Sequence, residues 1–354
     1  MRIGRTTGLG VLAACLLLVA GCSTSADSGG TTGGSSGPTT TAPVATTTVP
    51  ATPPVGGPAT IAPAVDAVGE VVSGSMATAD GRERTYRIYV PTSVADHPDR
   101  PVPLLVALHG GLGSGAQYER NSGYDGLAEA NGFVVVYPDG FDVDPGDRQV
   151  QTWNGGDCCG PAVRLDLDDV GFIRDLIGRL EDEYPIAPGE VAATGHSNGG
   201  ILALRLGCEL ADDIAAVGVQ SSALAVADCT PTQPVSLIQI HGTADQNLPI
   251  DGGIGEEAVS GVDFRPPMEA ARTFAAADGC GTPADLVVEG NADLAVTSWT
   301  GCDAGAAVAF VRVDGGTHAW MGPPRGAGGP TGPPYEDLDS SAVIWEYLSQ
   351  HLRR

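Results

Sequence analysis

An α/β fold, with a mostly parallel sheet covered by helices on both faces, is the architecture this 354-residue chain predicts. Three observations carry it. Continuous apolar runs recur as "PVPLLVALHGG", "GFVVVYPDG", "VAATG" and "PVSLIQIHG", which suits strands buried on both faces. Segments of helical periodicity alternate with these runs, as crossover connections between parallel strands require. Finally, the polar residues with chemical potential gather where the apolar runs end: His109-Gly110-Gly111, Tyr137-Pro138-Asp139, His196-Ser197, and His241 through Asp245. Ligands of such sheets collect beyond the carboxyl ends of the strands.

Taken in order, residues 1–22 read as an export signal. Arg2 and Arg5 precede an apolar stretch from Leu9 to Ala20 that is too short to span a bilayer, and Val19-Ala20-Gly21-Cys22 follows. The segment resembles a bacterial lipoprotein signal, which makes Cys22 the lipidated first mature residue and a membrane surface a partner. The alternative is an ordinary secreted protein with a cysteine near its cleavage site. Both place the chain outside the cytoplasm. Residues 23–68 are dominated by Thr, Ser, Gly, Pro, Ala and Val without an aromatic residue, a composition that cannot offset its ordering entropy and predicts an extended tether. Residues 69–354 are then the single folded domain, long enough for one sizeable core.

Within that domain "RTYRIYV" alternates polar and apolar residues and predicts a half-buried antiparallel strand. The helical segments are "DLDDVGFIRDLIGRLEDEY", with Val170, Ile173, Leu176, Ile177 and Leu180 on one face, then "SNGGILALRLGCEL", "PPMEAARTFAAAD" and "DSSAVIWEYLSQHL". Asp168 and Asp169 suit the start of the first of these as a capping pair. "AVAFVRV" supplies one more strand ahead of a glycine-rich loop.

Composition narrows the function. A formal charge of −25 opposes nucleic acid and other polyanions, because phosphate binding needs clustered Lys and Arg. Neutral polymers and esters are compatible. Beyond Cys15 and Cys22, six cysteines remain, and an even number in an exported domain predicts disulfides. Proximity favours Cys208–Cys229 and Cys280–Cys302, leaving the adjacent Cys158 and Cys159 to each other or to other partners. No C-x-x-C pairs supply a zinc site. "DVDPGD" (Asp142 to Asp147) lacks the glycine and terminal glutamate of an EF-hand loop, so no metal or cofactor is expected.

The chemistry centres on "ATGHSNGGIL". Gly195-His196-Ser197-Asn198-Gly199 matches G-x-S-x-G, the strand-to-helix elbow of an α/β-hydrolase. A serine hydroxyl needs a base to take its proton, commonly a histidine held by a carboxylate, and in this fold the order is Ser, acid, His. Asp245 in "HGTADQNLP" and His318 in "DGGTHAWMG" satisfy the order. His196, next to the serine, is expected to point away from its face; His109 belongs to a strand-exit turn. The backbone N–H of Asn198 would face a developing oxyanion, with the second donor in "LHGGLGSG", at Gly111 ahead of Leu112. The same loop could cradle phosphate, but it lacks the P-loop lysine. Trp153 and Trp320 are the candidate substrate-lining aromatics, each with a second reading: a packing anchor for Trp153, a brace for the histidine loop for Trp320.

In family order, "LHGG", Trp153-Asn154 followed by "CCG", "DDVGFI", "TGHSNGG", "IHGTADQNLP" and "GGTHAW" run from about Thr85 to the end. Together they resemble secreted α/β-hydrolase esterases of the polyhydroxybutyrate depolymerase and feruloyl esterase group (carbohydrate esterase family 1-like). The resemblance implies ester hydrolysis through an acyl-enzyme, with Ser197 as nucleophile, His318 as base and Asp245 as its partner. Feruloyl, acetyl and hydroxyacid esters are the expected substrates. A serine peptidase on the same scaffold and a binding lipoprotein without catalysis are the competing functions.

Overall fold

The computed structural model describes residues 61–142, 151–288, 291–325 and 331–353. The signal and its Cys22, most of the tether, and Asp144 and Asp147 of "DVDPGD" lie outside the described residues. In chain order the elements are β1 (Glu70–Ala77), β2 (Glu83–Val90), α1 (Thr92–Ala95), β3 (Val102–Leu108), α2 (Gly115–Ser122), α3 (Tyr124–Asn131) and β4 (Val134–Pro138). There follow α4 (Gly160–Arg164), α5 (Asp169–Glu183), β5 (Ile186–His196), α6 (Asn198–Glu209), β6 (Ala216–Gln220) and β7 (Ser236–Gly242). The chain closes with α7 (Met268–Ala277), β8 (Ala284–Val287), β9 (Leu294–Trp299), β10 (Val308–Val313) and α8 (Ser340–Gln350).

The strands form one sheet in the order β1-β2-β4-β3-β5-β6-β7-β10-β9-β8. From β4 to β10 every pairing is parallel, with antiparallel strands added at each end. The apolar runs supply its centre: β4 and β7 are buried along their whole length and β3 nearly so. Because neighbouring residues of a strand point to opposite faces, the runs feed two cores. Leu104, Val106 and Leu108 join Phe172, Leu202 and Phe274 of α5, α6 and α7 on one face. Leu105 and Ala107 join Tyr118, Tyr124 and Trp345 of α2, α3 and α8 on the other. The expected α/β-hydrolase architecture is the one observed.

Some parts depart from the sequence reading. The edge strand β1, with β6, β8 and β9, falls in segments too short or too exposed to give a clear pattern; β1 alternates only exposed with half-buried residues. The segment read as a tether does not continue free to residue 68. Val65 donates its N–H to the Gly126 carbonyl on α3 at 3.1 Å, and Ala62 donates to Asn131 Oδ1 at 2.8 Å. These contacts return hydrogen bonds that composition alone does not reveal.

The disulfides Cys208–Cys229 and Cys280–Cys302 form as proximity favours, and Cys158 is joined to Cys159. Asp168 caps α5 by accepting the Gly171 N–H at 2.7 Å. Asp169 is not its partner in capping. It is buried, pairs with the Arg84 guanidinium at 2.7 Å and accepts the Asn154 N–H at 2.7 Å, thereby fixing the loop that carries Trp153.

Candidate active site

The carboxyl edge of the sheet gathers Ser197 after β5, Asp245 after β7 and His318 after β10. Ser197 occupies φ 52°, ψ −123°, a conformation L-residues rarely adopt. The flanking glycines make it possible. A Cβ on Gly195 would lie 2.5 Å from the Gly199 carbonyl, and one on Gly199 would lie 2.3 Å from the carbonyl oxygens of Leu108 and His109. The turn therefore packs backbone against backbone, and α6 starts at Asn198 directly beneath the serine.

Ser197 Oγ lies 2.9 Å from His318 Nε2, and His318 Nδ1 lies 2.9 and 2.8 Å from the two carboxylate oxygens of Asp245. This spacing suits an Nδ1–H donating to the carboxylate and a bare Nε2 facing the hydroxyl. Asp245 Oδ1 also accepts the N–H groups of Asn247 and Leu248 at 3.0 and 2.8 Å. Burial on its own would push the Asp245 pKa up. The hydrogen bond and charge of His318, the nearby His241 and the Leu248 N–H outweigh that and hold the carboxyl below its ordinary range. An ionised carboxylate is thus available to the imidazole.

The loop after β3 stands against the elbow: a Cβ on Gly111 would touch Asn198 Cβ at 3.5 Å. Leu112, at φ 66°, gives its N–H to the Gln151 carbonyl at 2.8 Å, which commits that donor elsewhere. His109 locks the loop from below. Its Nε2 accepts the Gly140 N–H at 2.9 Å and its Nδ1–H donates to the Gly110 carbonyl at 2.7 Å. Burial drives its pKa down to about 4, so it stays neutral in this role. Among the described residues no group of three or more His, Cys, Asp or Glu could hold a metal ion.

Of the two sequence readings of Trp153, the pocket wall is corrected and the packing anchor is the one observed. Trp153 exposes 0% of its surface, so it does not line a pocket in this conformation. Its indole N–H donates to the His109 carbonyl at 3.0 Å, and its backbone exchanges two hydrogen bonds with the Asn198 amide, at 2.8 and 3.0 Å. It anchors the elbow to the glycine loop. His196, set aside from sequence, packs its ring 5.1 Å from the His318 ring and places Nε2 2.7 Å from the His318 carbonyl. Trp320 is half-buried and lies edge-on to His196 at 5.7 Å, with its indole N–H on Ser341 Oγ at 3.1 Å. It braces the histidine loop. Gln220, which no motif marks, reaches the same loop from the end of β6.

A serine within hydrogen-bond distance of a carboxylate-paired histidine, at the carboxyl edge of such a sheet, is an arrangement suited to acyl transfer, and comparison with known proteins gives the family. Residues 77–268 match the family described as "Putative esterase", and the chain belongs to that esterase family. Feruloyl esterase B of Piromyces equi is 31% identical over 229 residues, covering 62% of this chain and 40% of that protein. "Putative esterase NocK" of Nocardia uniformis subsp. tsuyamanensis is 30% identical over 260 residues, covering 68% of this chain and 72% of that protein. Among solved structures, acetyl xylan esterase from Aspergillus awamori shares the fold, with a TM-score of 0.50 at 17% identity, over 69% of this chain and 93% of that one. The chain is similar in sequence to feruloyl esterases as well as to the esterase NocK. It spans well under half the length of the Piromyces enzyme.

Proposed function

We propose that the chain is an exported, lipid-anchored serine carboxylesterase that removes feruloyl or acetyl groups from neutral polysaccharide through an acyl-enzyme. The observation that carries the mechanism is the continuous hydrogen-bonded chain Ser197–His318–Asp245 beneath the elbow. Ser197 Oγ attacks the ester carbonyl while His318 Nε2 takes its proton, and Asp245 stabilises the imidazolium that results. The N–H groups of Asn198 and Gly111 receive the oxyanion, a contribution worth on the order of 10²–10³-fold in kcat for one donor. His318 then hands its proton to the departing alcohol oxygen. Water, deprotonated by the same imidazole, attacks the acyl carbon, and collapse of the second tetrahedral intermediate returns the proton to Ser197.

The substrate class rests on the feruloyl esterase and acetyl xylan esterase to which the chain is similar. The acidic balance of the chain agrees with a neutral polymer. Export and anchoring rest on the N-terminal signal and Cys22. Replacing Ser197 with Ala should abolish hydrolysis of short p-nitrophenyl esters while the fold persists; undiminished turnover would refute the nucleophile. A screen of feruloylated arabinoxylan, acetyl-xylan and polyhydroxybutyrate then separates the substrates, and activity on polyhydroxybutyrate alone would overturn the polysaccharide assignment. Loss of membrane association in Cys22→Ala tests the anchor.

A further inference from the structure

We infer that Gln220 is a positioning residue for ester hydrolysis, one that sets the imidazole of His318 in register with Ser197. The inference rests on the catalytic roles proposed above. His318 belongs to a loop between β10 and α8 that has no helix or strand of its own from residue 314 to 325. Gln220 is fully buried and ends β6, where it is the register partner of His196 on β5. Its side chain straddles the loop just past the histidine. Nε2–H donates to the Ala319 carbonyl at 2.8 Å, and Oε1 accepts the Met321 N–H at 3.0 Å and the Ser340 hydroxyl at 2.7 Å. Its backbone carbonyl meanwhile accepts the Ser197 N–H at 3.1 Å. One residue therefore holds the nucleophile by its main chain and the base-bearing loop by its amide.

His196 completes the hold from the adjacent strand. Its Nε2–H donates to the His318 carbonyl at 2.7 Å, and burial, with the charge of His318, keeps its pKa down near 3, so this donor is present at neutral pH without a positive charge beside the base. The carbonyls of 318 and 319 and the N–H of 321 are consecutive attachment points. They leave the loop little freedom to shift His318 along the sheet edge. Only an amide serves at Gln220, because donor and acceptor are both needed. A displacement of about 1 Å in a catalytic group can cost on the order of 10²-fold in rate.

The test compares Gln220→Glu and Gln220→Leu with wild type, and with Ser197→Ala and His318→Ala, in steady-state hydrolysis of p-nitrophenyl acetate. Thermal melts and kcat–pH profiles accompany the kinetics. Gln220→Glu keeps the acceptor and loses the donor to Ala319. It should remain folded with kcat lowered roughly 10- to 100-fold, KM within twofold and the acidic limb of the kcat–pH profile displaced. Gln220→Leu should show the larger kcat loss if it folds. If Gln220→Glu melts lower but keeps wild-type kcat and an unchanged profile, Gln220 is merely structural and the inference falls. Failure of the catalytic reading is distinguishable, because Ser197→Ala or His318→Ala would then retain turnover, and the inference would fall with it.

Discussion

Ser197 sits in a turn whose glycines are enforced by backbone contact, whereas His318 sits in a loop whose place is set by side chains from two other strands. At the elbow a Cβ on Gly199 would meet two carbonyl oxygens at 2.3 Å, so the geometry is written into the turn itself. At the histidine loop a Cβ on Gly315 would meet nothing within 4 Å. There the determinants are Gln220 and His196, which lie about a hundred residues earlier in the chain. The elbow is held by shape, whereas the histidine loop combines one close backbone approach, Gly316 against Gly242, with directed hydrogen bonds beyond it. Shape tolerates no substitution at the elbow glycines; the histidine loop has open space at Gly315 but not at Gly316, and beyond Gly316 it depends on its distant anchors.

The contrast can be broken most directly at Gly199. Gly199→Ala should cost more than about 3 kcal/mol, because the clash is with backbone that cannot rotate away. Loss of soluble folded protein, or a large fall in Tm, is the expected result, and a variant that melts like wild type would remove the steric account of the elbow. Next in size is Asp245→Asn, which should leave KM nearly unchanged and lower kcat on the order of 10³- to 10⁴-fold, because the amide favours the wrong tautomer of His318. Steady-state kinetics with a short ester read it directly.

A pH experiment sharpens the comparison through the same carboxylate. The Asp245 pKa is held below its ordinary value of 3.8, so its stabilising contribution is complete above that value and is lost as pH falls through the lower folded one. Wild type should therefore lose stability on acidification below about pH 4 more steeply than Asp245→Asn, as followed by thermal melts from pH 5 downward. Equal slopes would show that the fold does not hold the Asp245 carboxyl below its ordinary range. The smallest effect belongs to Gly315→Ala. With open space around the site, only the left-handed conformation at φ 73° opposes it, a cost of about 1–2 kcal/mol.

This difference also explains what the sequence could reveal. The elbow, the glycine loop after β3 and the acid after β7 are local patterns, each stating its own geometry: glycines where backbone touches backbone, polar residues where an apolar run stops. The order Ser, Asp, His links them along the chain. Gln220 left no such trace. It ends "AVGVQ", a short run, and its two functions depend on which strands become neighbours in the sheet. His196 was discounted because alternation along β5 sends it off the serine's side, yet the loop carrying His318 folds down onto it. For Trp153 the sequence leaves a pocket wall and a packing anchor both open, and the Arg84–Asp169 pair and the Asn198 amide, which draw it inward, decide for the anchor. Contacts created by topology, rather than by neighbours in sequence, were the ones that stayed hidden.

The central claim is that Ser197 is the nucleophile activated by His318. Treating the purified protein with a fluorophosphonate and mapping the adduct by peptide mass spectrometry tests it most directly. The account predicts a single phosphonylated serine at Ser197, formed at a rate that collapses in His318→Ala and absent from Ser197→Ala. An adduct on another serine, or full labelling of Ser197→Ala, would contradict it.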